Sequence, residues 1–254
     1  GPIDPKDPGA PTAMPGWLDV DIRDTVEVVL GVRTVIENDV NLMVLGYWDT
    51  NGRPDGSIVM VKAALGMGAG IILDGQLVRG RRGMAGEIGH LPVSVSSSEL
   101  CACGHANCVG NAVGTTYVLR SLREQGVDVT TVSDLNDCVG RGDPLAVAAV
   151  RQAGRNIGEA LVGLVATVAP DVVIIGGPLS RLGDHLVTGA RETLYARSVP
   201  ALTAGMRVVG APNHREYYVN GAAVLATAAL LDPGMPVRPS AAGSAHARIE
   251  EAPA

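Results

Sequence analysis

DVVIIGG, residues 171–177, is a continuous β-branched run closed by two glycines, the pattern of a strand buried on both faces. The chain around it alternates in type. Upstream, Ile157, Leu161, Leu164, Val165 and Val168 recur at helical spacing and predict a helix over 143–168 with one buried face. Downstream, the pattern predicts a helix at 182–196, a strand at 205–210 and a last helix at 219–231. Toward the N-terminus it predicts a helix at 22–31, a strand at 33–36, a helix at 40–48, and strands at 57–64, 69–73 and 76–79. Asn51-Gly52 and Asp74-Gly75 are its strongest hairpin-type turns. A further helix is expected at about 111–125. Such alternation means an α/β fold, and no internal repeat interrupts it.

The chain has 254 residues, 46% hydrophobic and 18% charged, enough for one large domain or two smaller ones around a sizeable core. Its formal net charge is −6, and Arg79-Gly-Arg81-Arg82 is its only compact basic run, so these residues lack the footprint of a nucleic-acid-binding surface. It has no apolar leader segment and no run of eighteen apolar residues, which predicts no membrane span and a cytoplasmic location where thiols stay reduced. Residues 1–17, dense in proline and aspartate, read as a connecting loop in a chain that begins without methionine. From Pro233 the tail loses all periodicity, and at most its Ala-rich end is expected to order.

CACGHANC, residues 101–108, concentrates three of the four cysteines, and the histidine ending GEIGH lies eleven positions upstream. His90, Cys101, Cys103 and Cys108 supply a Cys3His donor set of the kind found in closed structural zinc sites. Reduced loop or core cysteines are the other reading. IENDVN, residues 36–41, passes from a strand into a helix and places Asn38 and Asp39 where open α/β folds bind ligands. Either side chain could simply cap that helix. Glu87 and His90, three apart, could bond sugar hydroxyls or merely line a turn. LGMGAG, residues 65–70, fails the dinucleotide fingerprint and reads as a turn between strands, whereas IIGGPLS, residues 174–180, ends a strand in two glycines where a ligand can approach the backbone.

Taken together, GPID at the start, ENDVN at 37–41, LGMGAGIILDGQLVRG at 65–80, GMAGEIGH at 83–90, CACGHANC at 101–108 and VVIIGGPLS at 172–180 resemble the ROK family (repressor, open reading frame, kinase) in family order. The resemblance implies the actin-like, ribonuclease H-like sugar-kinase fold, two α/β lobes with the N-terminal lobe incomplete. Residues 1–55 would be the remnant of that lobe, residues 56–231 the larger lobe with the zinc site, and residues 232–254 a tail. It also implies a structural Zn2+ held by His90, Cys101, Cys103 and Cys108, and a sugar faced by Asn38, Asp39, Glu87 and His90. Asp39 matches the kinases' catalytic base, and Gly66, Gly68, Gly176 and Gly177 match remnants of the nucleotide loops.

Three departures from the kinase pattern set the functional expectation. No DxGxT-type phosphate hairpin is present, Met67 stands where the family carries a threonine, and Gly110 stands where a sugar-binding glutamate is usual. They point to a non-enzymatic effector and oligomerisation domain of a sugar-responsive transcriptional regulator. It would bind a sugar or sugar phosphate, form a homodimer or higher homo-oligomer, and reach DNA through a winged helix-turn-helix outside this chain. The alternative is an ATP- and Mg2+-dependent hexose or N-acetylhexosamine kinase missing its phosphate hairpin.

Overall fold

The central strand predicted from DVVIIGG is Val172–Gly176, with all five residues buried. A computed structural model describes residues 21–94, 100–101, 103–211 and 214–231. The expectations for the proline-rich start and the tail from Pro233 fall outside those residues. The strands are β1 (Ile58–Ala63), β2 (Met67–Leu73), β3 (Gln76–Leu77), β4 (Val172–Gly176) and β5 (Arg207–Ala211), and they form one sheet in the order β3-β2-β1-β4-β5. The β1–β2 and β2–β3 pairs are antiparallel, and β1–β4 and β4–β5 are parallel. Asp74 and Gly75 both take positive φ at the β2–β3 turn, as the sequence suggests, but Asn51-Gly52 ends a helix instead of closing a hairpin.

The helices are α1 (Ile22–Leu30), α2 (Asp39–Thr50), α3 (Val109–Val113), α4 (Thr115–Glu124), α5 (Val132–Gly140), α6 (Pro144–Val168), α7 (His185–Arg197), α8 (Pro200–Thr203) and α9 (His214–Leu231). Strand alternation sorts the core into two layers. Val59, Val61, Ala69, Ile71, Val173 and Ile175 face α3 to α7, while Ile58, Met60, Ile72 and Ile174 face α2 and α9. In the second layer α2 and α9 come very close. A Cβ added at Gly221 would lie 1.9 Å from the Leu42 carbonyl oxygen, and one at Gly46 would lie 2.0 Å from that of Tyr217. The Tyr47 and Tyr217 rings meet edge to face at 5.5 Å beside this crossing.

Three expectations change. Residues 33–36 are not a strand among the described residues, because no neighbour offers them a ladder of hydrogen bonds. The helix expected at 111–125 breaks into α3 and α4 at Gly114, whose backbone is extended (ψ 151) where Thr115 donates to the Ala64 carbonyl at 2.8 Å. Helix α5 begins with a capping box in which Thr131 and Asp134 bond each other's backbone, a start signal that hydrophobic periodicity does not register.

Candidate functional site

Asn38 precedes α2 and caps it, its Oδ1 accepting from the Val40 N–H at 2.9 Å, so the bland role assigned to this position is real. Asp39 is the first residue of the helix, and its side chain is 48% exposed. The turn is anchored from behind by Glu37, whose side chain is only 2% exposed. Its Oε1 accepts from the Asn38 N–H at 3.0 Å and from Asn41 Nδ2 at 2.9 Å, and its Oε2 accepts from Arg79 Nε at 2.7 Å. Arg79 lies just beyond β3 on the segment leading to GEIGH, so this ion pair ties the two sequence-distant halves of the site together.

GEIGH lies flat on the start of β2. Gly86 has φ 88, and a Cβ there would sit 1.8 Å from the Ala69 carbonyl oxygen; at Gly89 it would sit 2.2 Å from that of Met67. Only glycine permits this approach. Across the strand, a Cβ at Gly70 would lie 2.6 Å from the Val40 carbonyl, which places the start of α2 over the same end of β2. Asn38, Asp39, Glu87 and His90 are thereby brought to one end of the sheet, with His90 Nε2 3.7 Å from Glu87 Oε2. The glycine turns converge there too. Gly68 and Gly176 flank Lys62 in the β2-β1-β4 register, and Gly177, with φ 99, turns the chain out of β4.

The sequence reasoning passed over Lys62, Glu37 and Tyr218. Lys62 continues the Ile58–Met60 face of β1 toward α2, and its Nζ donates to Asp39 Oδ2. Burial works against its charge, but the bond to Asp39, the adjoining carboxylate and the Tyr218 hydroxyl outweigh it and raise its pKa. A lysine inside the apolar run IVMVKA was the available signal.

Behind His90, the ring Nδ1 lies 3.4 Å from Cys101 Sγ, and Cys103 Sγ lies 3.5 Å from Cys108 Sγ. All four ligand atoms fall within 4.8 Å of one another. A tetrahedral ion with sulfur at about 2.3 Å needs ligand separations of roughly 3.8 Å, so the donor set fits such an ion. The loop is closed by Cys101 N–H on the His105 carbonyl (2.9 Å) and pinned by a bridge between Pro92 and Cys108. The His105 backbone and imidazole draw the Cys103 thiol down to about 6, whereas burial and the neighbouring thiols push Cys108 up to about 12. Gly110 packs against the same turn, 3.1 Å from a hypothetical Cβ to the Gly89 carbonyl oxygen.

A mixed sheet between helical layers, with Asp39, Glu87 and His90 gathered at the carboxyl ends of its parallel strands, is consistent with the sugar-kinase class of the actin-like α/β folds. The ROK family profile matches residues 1–229, and the chain belongs to the ROK family. A glucokinase of Halalkalibacterium halodurans is 26% identical over 205 residues, 75% of this chain and 62% of the relative. The xylose repressor of Caldicellulosiruptor bescii is 27% identical over 206 residues, 76% of this chain and 51% of the relative. Among solved structures, a ROK transcriptional regulator homologous to E. coli Mlc superposes with TM-score 0.78 at 22% identity, covering 90% of this chain and 60% of that one. A ROK glucokinase from Streptomyces griseus with glucose and AMPPNP gives 0.71 at 26% identity, covering 83% and 73%.

The chain thus spans between about half and three-quarters of the proteins it matches. The expectation of a non-enzymatic chain is corrected by these matches, since glucokinases align with three-quarters or more of it. Met67 and Gly110 are local departures inside a frame that glucokinases and xylose repressors share. Among the described residues no helix is long and apolar enough to cross a membrane.

Proposed function

We propose that this chain is the acceptor-binding part of an ATP-dependent ROK sugar kinase acting on a hexose or N-acetylhexosamine in the cytoplasm. One observation supports it: the half-exposed Asp39 carboxylate lies at the same end of the sheet as Glu87, His90 and the glycines at 66–68 and 176–177. Asp39 takes the proton of the acceptor hydroxyl as its oxygen attacks the terminal phosphorus of the nucleotide. Glu87 and His90 Nε2 orient neighbouring hydroxyls, and the turns at Gly66–Gly68 and Gly176–Gly177 let phosphates approach backbone amides. His90, Cys101, Cys103 and Cys108 hold a structural Zn2+, which supplies no chemistry beyond fixing the loop and the His90 ring, leaving the second nitrogen for the sugar.

The test is ADP release by the intact gene product with glucose and N-acetylglucosamine. Sugar-dependent release, lost at least a hundredfold in Asp39→Asn, supports the assignment; release that Asp39→Asn leaves intact refutes it. A second use of the same pocket is favoured by the regulator's superposition, TM-score 0.78 over 90% of this chain. In it, the pocket holds a sugar or sugar-phosphate effector, and a winged helix-turn-helix outside this chain binds DNA. Sugar-dependent release of operator DNA by the intact gene product distinguishes that use. Val28, Val29, Leu30 and Val32 are exposed on and just after α1, which supports assembly as a homodimer, to be read by light scattering.

A further inference from the structure

We propose that Lys62 is an anion-binding residue of this cleft, its ammonium meeting the phosphoryl group of a phosphate ester beside the point where Asp39 meets the acceptor hydroxyl. The inference rests on the sugar-kinase assignment above and adds to it the residue that receives the phosphoryl charge.

The placement is unusual for a lysine. It lies on a central strand whose other residues on that face, Ile58 and Met60, are fully buried, and its own side chain is 25% exposed. Its cross-strand neighbours, Gly68 on β2 and Gly176 on β4, carry no side chain beside the lysine stem. Its Nζ bonds Asp39 Oδ2 and reaches the Tyr218 hydroxyl. An ammonium has three donors, and these two partners leave one for a ligand at this partly exposed position. Stability alone is a poor reason for the pair, because an ion pair with a half-exposed carboxylate contributes little to it.

The chemistry gives the cation a use. The hydroxyl proton passes to Asp39, the acceptor oxygen bonds to the terminal phosphorus of a nucleoside triphosphate, and the bond from that phosphorus to the departing nucleoside diphosphate breaks. Lys62 stays protonated throughout. As Asp39 becomes neutral, Lys62 loses its counter-charge at the moment negative charge moves onto the phosphoryl oxygens, so its attraction shifts from carboxylate to phosphate. Met67, whose thioether offers no donor where the family carries a threonine hydroxyl, leaves that role open.

The phosphoryl group can arrive on a nucleotide or on a sugar, and calorimetric titration separates the two. Magnesium AMPPNP, glucose 6-phosphate and glucose are titrated into wild type, Lys62→Met and Lys62→Arg, with circular dichroism confirming that each variant is folded. In Lys62→Met, at least one phosphate ester is expected to weaken tenfold or more beyond any change for glucose, and Lys62→Arg, which keeps the charge, recovers most of that loss. The nucleotide arm responding alone assigns Lys62 to the donor; the sugar phosphate responding alone assigns it to the product or effector. If Lys62→Met weakens esters and glucose alike, or neither phosphate ester binds wild type, the proposal is overturned. If esters bind in a Lys62-dependent way and no hexose binds, the sugar assignment fails while the anion site stands. If neither Lys62 variant folds, Lys62→Gln takes their place under the same criteria.

Discussion

Replacing Arg79 with methionine removes the cation bonded to Glu37, a carboxylate that is almost wholly inaccessible. Methionine keeps much of the stem, so the change isolates the guanidinium. Deleting one partner of a fully buried pair costs about 3–5 kcal/mol. Two features here reduce that figure. Arg79 is 37% exposed, so water already screens one side of the pair, and Glu37 keeps its bonds from the Asn38 N–H and Asn41 Nδ2. A loss of about 2–3 kcal/mol is expected, which at urea m-values near 2–3 kcal/mol/M moves the midpoint down by about 1 M. Trp48, packed against the α2 layer, reports the transition by fluorescence. Adding Glu37→Gln to Arg79→Met removes the orphaned charge and is expected to return about 1 kcal/mol, so the double variant is the more stable of the two. A midpoint shift below about 0.3 M for Arg79→Met, or a double variant less stable than the single, would refute the claim that this bridge holds the two halves of the site together.

Cys103→Ser is expected to lose zinc and thermal stability together, read by metal analysis and a melting curve; a variant with full metal content would remove Cys103 from the ligand set. Gly221→Ala drives a methyl into the Leu42 carbonyl, and overpacking at the upper end of about 1–3 kcal/mol should exceed the roughly 1 kcal/mol gained in helix propensity, for a net loss seen in urea denaturation. The Thr130 and Thr131 N–H groups hold the Asp134 carboxyl down to about 2, below its ordinary 3.8. The unfolded chain therefore binds this proton first as pH falls, so the stabilisation is complete above about pH 4 and fades toward pH 2. The difference in melting temperature between wild type and Asp134→Asn should shrink across that window; a constant difference contradicts it.

The fold was legible where apolar pattern and length agree, as in DVVIIGG and the helix at 144–168. It was illegible where an element depends on partners, as for residues 33–36, or is too short and polar to show a period, as for α5 with only Leu135 and Cys138 buried. The Cys3His cluster was visible because three donors share one loop. The Asp39 turn was visible because Asn-Asp at the start of a helix is a local pattern, although the strand expected before it did not form. Lys62 and the Arg79–Glu37 bridge were not, since each depends on strand order or on two segments more than forty residues apart. The non-enzymatic expectation gave three departures, the missing DxGxT-type hairpin, Met67 and Gly110, more weight than a frame shared with glucokinases.

The crossing of α2 and α9 bears on how the protein is made. The helix that carries Asp39 is complete by residue 50, yet the helix that covers its outer face begins only at residue 214. At ribosomal speeds of 5–20 residues per second, that interval is about 8–30 s. Throughout it the nascent sheet can gain α3 to α7 on one side while α2 has no lid on the other. The corner around Asp39 is therefore among the last parts of the described chain to close during synthesis, and a ribosome stalled before α9 leaves the sheet largely built and the Asp39 helix bare.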